Sequence, residues 1–136
     1  MLINKIFFIK RHKIEDSRGY FYKVIDGKEF GLPPYTGEVY LTMAKPKEAK
    51  GGHFHHLANE WFTLLRGSCL VKLIDVVTNE TLEVRLSENK AETLFIPNNI
   101  AHLFINESSK EDFLLLAYTD QLYNPLDTIP VNFDKI

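Results

Sequence analysis

Three histidines in four positions, His53, His55 and His56, stand behind Gly51-Gly52 and ahead of an apolar run that opens with Glu60. Another histidine follows far downstream, in Ile96-Pro97-Asn98-Asn99-Ile100-Ala101-His102. In an extended strand, side chains alternate between faces, so His53 and His55 point one way and Phe54 and His56 the other. Two chemistries suit this set. The imidazoles of His53, His55 and His102 with the Glu60 carboxylate can hold a divalent first-row ion and leave positions open for water or substrate. Alternatively, a histidine in a cavity titrates near neutral pH and can take a proton from carbon beside a ketone. That reaction needs no cofactor, because the substrate carbonyl is the electron sink. The two roles exclude each other at His53, whose lone pair cannot bind an ion and accept a proton at once. Taken singly, each residue has a plainer role: a hydrogen-bonded core histidine, a surface carboxylate, a loop histidine after a Pro-Asn-Asn turn.

The elements that must bring these residues together are short. Apolar alternation bounded by turn residues recurs along the chain, the pattern of an all-β sandwich or barrel. The spacing predicts strands over 6–10, 20–25, 38–44, 52–56, 61–65, 68–77, 81–86, 93–96, 101–106 and 113–118. About ten strands suit a closed or sandwiched antiparallel fold. Turns are expected at Asp16-Ser17-Arg18-Gly19, Asp26-Gly27 and Thr78-Asn79-Glu80. In 38–44, Val39, Leu41 and Met43 share one face, and Tyr40 and Thr42 the other. The tail, 122–136, holds Pro125 and Pro130 and reads as an irregular packed arm. In a small barrel, inward side chains from distant strands meet in one cavity, and binding sites lie at the mouth. His53, His55, Glu60 and His102 are expected to converge in that way.

At 136 residues the chain is expected to form one domain over 1–136, with enough length for a core. Hydrophobic content of 45% and charged content of 25% suit a soluble globular chain. A net charge of -2 offers no basic surplus for nucleic acid, and no basic amphipathic helix points to a membrane surface. Cys69 is the single cysteine, so no internal disulfide is possible and a reducing, cytoplasmic compartment fits. Its apolar neighbours Leu70, Val71 and Leu73 predict a buried, inert thiol. Ile6-Phe7-Phe8-Ile9 is too short for a signal peptide or a membrane span.

The spacing around the histidines resembles the two cupin motifs. His53, His55, Glu60 and Gly67 meet every interval of the first; Ala91, Pro97, Asn99, His102 and Asn106 follow the second. Ala91, Asn99 and Lys47 stand where glycines are usual, and asparagine tolerates the left-handed conformation such a position demands. From about Ile14 to Phe133 the chain resembles the sugar-nucleotide branch of the cupins. It is most similar to the WxcM-like nucleotide-sugar 3,4-ketoisomerases and more distantly to the RmlC-like 3,5-epimerases. Asp16-Ser17-Arg18-Gly19 resembles their early D-x-R-G turn, and Val39-Tyr40 the ketoisomerase V-Y-Y strand. Lys50-Gly51-Gly52-His53-Phe54-His55 resembles R-G-F-H-A-H, and Gly67-Ser68-Cys69-Leu70-Val71 a G-S-C-x-V strand. Leu122-Tyr123 with Asp127 and Ile129 resembles the Y-x-x-x-D-x-I ending. Gly-Gly-His-Phe-His-His also resembles the cupin half of capsular-sugar reductase/epimerases.

The resemblance implies an RmlC-like jelly-roll barrel. It implies a cofactor-independent isomerase that moves the ketone of a nucleotide-linked 4-keto-6-deoxy sugar, with thymidine diphosphate as the expected carrier, from position 4 to position 3 in bacterial surface glycan synthesis. His53 would be the base, with His55 and Tyr40 lining the sugar site and assisting proton return. Lys50, Arg18 and His102 would contact substrate, Lys50 without the bidentate fork of the usual arginine. It also implies a homodimer, with the 6–9 strand available for exchange. Three alternatives stay open: a C-3 or 3,5-epimerase, a metal-dependent cupin enzyme using His53, His55, Glu60 and His102, and a non-catalytic sugar-binding cupin.

Overall fold

A computed structural model of the chain describes residues 1–17, 19–22, 24–33 and 37–135. Twelve strands occur among them: β1 Phe7–Lys10, β2 Ile14–Asp16, β3 Gly19–Phe21, β4 Glu38–Ala44, β5 Ala49–Phe54, β6 Glu60–Arg66, β7 Ser68–Asp75, β8 Thr81–Ser87, β9 Glu92–Ile96, β10 Ile100–Ile105, β11 Phe113–Thr119 and β12 Ile129–Pro130. Two five-stranded antiparallel sheets, ordered β1-β9-β6-β11-β4 and β12-β5-β10-β7-β8, face each other as the expected jelly roll. The alternation read from the sequence sets the inner faces. Phe62, Leu64, Leu94, Ile96, Leu115 and Ala117 of one sheet meet Val71, Leu73, Leu86 and Phe104 of the other, all buried. Cys69 belongs to this core, and burial pushes its thiol up to about 12. No helix among the described residues is long and apolar enough to cross a membrane.

The outer face of the first sheet is apolar as well. Phe7, Phe95, Trp61 and Tyr118 run across four strands as an aromatic row with ring centroids 4.9, 4.9 and 5.6 Å apart. Segment 24–33 is tied against that face by Arg11, whose guanidinium donates to the Val24 carbonyl, the Glu29 carboxylate and the Thr93 hydroxyl. This accounts for the strand that falls furthest short of its expected length. The predicted 20–25 strand stops at Phe21, where a small ribbon with β2 ends, and the chain beyond is held by Arg11 instead. On β4 the two faces divide as expected, with Val39, Leu41 and Met43 turned outward and exposed. β1 pairs with β9 of its own chain.

Two local devices aim the site. The β10–β5 register passes from His102 opposite His53 to Leu103 opposite Gly51, leaving Gly52 as an extra residue. Such a bulge shifts the side-chain alternation by one, so Lys50, opposite Phe104, shares a face with His53. The tail is less irregular than its prolines suggest. After a 3-10 turn over Pro125–Asp127, β12 pairs Ile129 with Phe54 and Pro130 with His53, adding an edge strand behind the histidines. Proline is tolerated there because an edge strand need not donate on both sides. Val131 and Phe133 then cover Ile74, Ala101, Phe54 and Leu103 on the outside of the second sheet.

Candidate active site

His53 and His55 come from the end of β5 and its continuation, Glu60 opens β6, His102 lies on β10 and Tyr40 on β4. The sandwich brings all five together. The rings of His53 and His55 have centroids 5.0 Å apart, as do those of His53 and His102, and the nitrogens of the three histidines approach within 4.8 Å of one another. A cavity of about 400 Å³ opens beside them. His53, His55, Glu60 and Tyr40 line it, with Glu38, Thr119, Gln121, Tyr123, Asn124 and Thr128.

Hydrogen bonds fix how each group is charged. The Nδ1 of His55 sits 2.7 Å from the Asp127 carbonyl, and a carbonyl only accepts, so Nδ1 carries the proton. Its Nε2 stands 3.1 Å from Oε1 of Glu60 as an ion-pair contact, and neither atom has a hydrogen-bond partner among the described residues. Burial alone would lower the pKa of His55, but the Glu60 carboxylate and the Asp127 carbonyl outweigh it and hold it above the ordinary value. Burial pushes Glu60 up, yet His55, His102 and the Tyr40 hydroxyl pull it below the usual carboxylate range. The Glu60 carboxylate thus favours the protonated form of His55. Burial first, then the neighbouring His55, lowers the pKa of His53, and Glu60 offsets only part. His53 is a neutral imidazole on the cavity wall.

Tyr40 donates its hydroxyl to Oε2 of Glu60 at 2.7 Å. Burial, then the carboxylate's charge, raises its pKa far above that of free tyrosine. His102 lies behind the other two histidines, packed by Phe62 and Phe104, and does not line the cavity. Burial lowers its pKa to about 4 despite Glu60. Its Nδ1 faces the Ile100 carbonyl at 3.2 Å, so the Nε2 lone pair points at Oε1 of Glu60, 3.5 Å away.

That contact is the test of whether a divalent ion fits. A bare lone pair facing a carboxylate oxygen is unfavourable, and a cation between them would relieve it. Ligating histidines ordinarily donate the other ring nitrogen to a carbonyl, as His55 and His102 do here. His53, His55 and His102 therefore fit an ion of the kind the spacing suggested, with Glu60 beside His55 and His102.

Lys50 is brought to the same face as His53 but is exposed and does not line the cavity. Arg18 lies outside the described residues. Sequence reasoning gave no role to Glu38, Thr119, Gln121, Asn124 or Thr128 in the lining. They sit at strand ends and in the loop after β11, where no periodicity marks them. Asp127 was legible only as part of the chain's ending. Its carboxylate accepts from the backbone N–H groups of His56 and Leu57 at 2.7 and 3.2 Å, which anchors the tail against the histidine strand.

The family profile described as "Polysaccharide biosynthesis C-terminal domain" matches residues 14–129. Among curated proteins the chain is 22% identical over 109 residues to a UDP-2-acetamido-2,6-beta-L-arabino-hexul-4-ose reductase of Pseudomonas aeruginosa, covering 80% of this chain and 27% of that protein. The chain thus spans about a quarter of that relative's length. Among solved structures it is similar to the 3,4-ketoisomerase of Thermoanaerobacterium thermosaccharolyticum in complex with TDP-4-keto-6-deoxyglucose. The TM-score is 0.78 and the identity 22%, over 96% of this chain and 90% of that one. It is also similar to a dTDP-6-deoxy-D-glucose-3,5-epimerase of Legionella pneumophila in complex with dTDP-4-keto-L-rhamnose. There the TM-score is 0.85 and the identity 17%, over 98% and 76% of the two chains. At these identities the structural likeness establishes the fold, an RmlC-like cupin.

Proposed function

The chain belongs to the polysaccharide biosynthesis C-terminal domain family, and on that premise we propose that it is an isomerase of nucleotide-linked 4-keto-6-deoxy sugars that uses His53 as its base. The observation that carries the reading is the pair on the cavity wall: a neutral His53 beside a charged His55 held by Glu60. Neighbouring groups whose environments push their pKa values apart divide into base and acid. His53 takes the proton from carbon 3, next to the ketone, and leaves an enediolate across carbons 3 and 4. The imidazolium of His55 offsets the developing oxyanion. Proton return to carbon 4, with transfer of the 3-hydroxyl proton to oxygen 4, moves the ketone to position 3. No electron enters or leaves. Return of the proton to carbon 3 from the other face would invert that centre instead. Tyr40 donates to Glu60 and gives up its proton reluctantly there, so its part is to orient the sugar.

A second reading has its own support. Oε1 of Glu60 lies 3.1 Å from the Nε2 of His55 and 3.5 Å from that of His102, and neither this oxygen nor the His55 Nε2 has a hydrogen-bond partner among the described residues. An ion held there with His53 would act as a Lewis acid on the sugar ketone. The experiment is to supply TDP-4-keto-6-deoxyglucose to chelator-treated, metal-analysed protein and identify the product by NMR. A 3-keto product formed without metal supports the ketoisomerase. Inversion at carbon 3 supports the epimerase. Activity lost on chelation and restored by adding the ion back establishes the metal-dependent enzyme and removes His53 as base.

A further inference from the structure

Three connections meet at the end of the barrel that holds the histidines: 55–59 between β5 and β6, 97–99 between β9 and β10, and the chain that leaves β11 at Asp120. Asn59 ties them together. Its backbone N–H and side-chain Nδ2 donate to the two oxygens of Asp120 at 2.9 and 3.0 Å, and its carbonyl accepts the Asp120 N–H at 3.1 Å. Its Oδ1 accepts the N–H of Asn98 at 3.0 Å. The 97–99 turn is fastened in the same way to the histidine strand. Asn99 donates its N–H to the His55 carbonyl at 2.8 Å, and the Asn98 side chain donates to the His56 carbonyl at 2.7 Å. The place filled by the Asn59 side chain needs a group that donates on one side and accepts on the other. A primary amide does both; a carboxylate only accepts.

We propose that Asn59 is a positioning residue, which holds His55 and Glu60 in register with each other without touching substrate. It does not line the cavity. Glu60 follows it directly and opens β6, so the bonds to Asp120 fix where that strand begins. The bond from Asn98 sets the turn whose next N–H holds the main chain of His55. His55 is then located from two sides, its carbonyl by Asn99 and its ring by the Asp127 carbonyl. Asn59 thereby acts on both ends of the 3.1 Å contact between His55 Nε2 and Glu60 Oε1. Displacing a reacting group by about 1 Å costs on the order of a hundred-fold in rate. A second asparagine hub gives the comparison. Asn106, past the far end of β10, donates to the Ala44 and Glu111 carbonyls at 3.1 and 2.8 Å and accepts the Ser108 N–H at 3.0 Å. It ties chain segments together as Asn59 does, but away from the histidines.

The test is an exchange of the two partners. Asn59→Asp sets two carboxylates against each other, and Asp120→Asn leaves an amide N–H facing another N–H. The double variant Asn59→Asp/Asp120→Asn puts a donor opposite an acceptor at each contact again, with the carboxylate at position 59 still accepting from Asn98. Turnover of TDP-4-keto-6-deoxyglucose, melting curves and the imidazole NMR signals of His55 are measured on the whole protein for the single variants, the double variant and Asn106→Ala. Each single variant should lower kcat on the order of ten- to a hundred-fold, with KM within about two-fold, and should displace the His55 signals. The double variant should recover kcat to within about three-fold of the unaltered protein and return the signals. Asn106→Ala should lower Tm while kcat and the His55 signals stay in place. The inference is overturned if the single variants turn over like the unaltered protein, or if the double variant is no better than they are. It also fails if Asn106→Ala loses as much kcat as they do, since the effect would then be one of general stability. Where Asn59→Asp does not fold, Asp120→Asn and the double variant carry the comparison. The turnover arm rests on the isomerase reading, and the NMR arm does not. No turnover in any form, with His55 signals displaced in the single variants and restored in the double one, would sink that reading and leave the positioning role standing. Full turnover in all of them with unmoved signals would do the reverse.

Discussion

A neutral imidazole and a charged one stand side by side on the same cavity wall, and the backbone carbonyl of Asp127 is one cause of the difference. His53 must be neutral to accept a proton, and its pKa lies below the ordinary 6.5. His55 must be charged to offset the enediolate, and its pKa lies above 6.5. Activity should therefore rise with pH through a pKa below 6.5, hold near neutrality, and fall through a pKa above it. Glu60→Gln keeps an acceptor for the Tyr40 hydroxyl but removes the negative charge that holds the His55 proton. The alkaline limb of the kcat profile should then move to lower pH. An alkaline limb that stays in place in Glu60→Gln would show that His55 is not the group titrating there. At this scale the sequence was informative about identity and silent about charge. The intervals His53, His55, Glu60 and His102 were legible, but the division of labour depends on Asp127, 72 positions after His55.

The bulged strand β5 illustrates how one element sets the site. Gly51 has a φ of +92°, and a Cβ there would come within 2.9 Å of the His102 carbonyl oxygen. Gly27 has a φ of +90° with nothing within 4 Å, so alanine at that position meets the backbone strain alone. Left-handed strain costs about 1–2 kcal/mol for a non-glycine residue. Gly51→Ala should lower Tm by more than Gly27→Ala, by about 5 °C or beyond, and should also reduce turnover because the displaced carbonyl belongs to His102. Equal melting shifts in the two variants, with turnover intact, would mean that the close approach at Gly51 does not position the site. The cupin intervals carried this information in coded form. Lys47 and Asn99, which replace usual glycines, both adopt left-handed backbone, with φ of 68° and 64°. The motif specifies a conformation that glycine supplies most easily, and two other residues supply it here. The short strand β2, by contrast, was not legible. Ile14-Glu15-Asp16 has no clear alternation, and among the described residues it pairs with β3, the other arm of its hairpin.

Across the whole molecule, most of the fold was readable because nine of the ten strands in the two large sheets fall on segments the sequence marks, while the strand in the tail was not, since β12 exists by pairing with β5. The histidine cluster also loads the folded state with a pH dependence. His102 is buried and neutral, with a pKa of about 4 against 6.5 in a solvated histidine. Between those values the unfolded chain binds a proton that the folded chain does not, so stability falls as pH drops from 6.5 toward 4. The slope from this one group is roughly 1.4 kcal/mol per pH unit, about 3 kcal/mol in all. His55, raised by Glu60, adds nothing to that slope, because its stabilisation is complete below 6.5 and is lost only as pH rises through its folded pKa. Urea unfolding at pH 7, 6 and 5 should give steadily decreasing stability, and His102→Asn should flatten the trend; a flat trend in the unaltered protein would mean that His102 is already solvated. The central claim is that His53 takes the proton from the carbon beside a ketone. Its most direct test is hydrogen exchange followed by NMR, with metal-free protein and TDP-4-keto-6-deoxyglucose in D2O. The unaltered protein should place deuterium on the ring carbon that is protonated, and folded His53→Asn should slow that incorporation by on the order of a hundred- to ten-thousand-fold. Incorporation at a near-normal rate in His53→Asn, or its complete dependence on added metal in the unaltered protein, would contradict it.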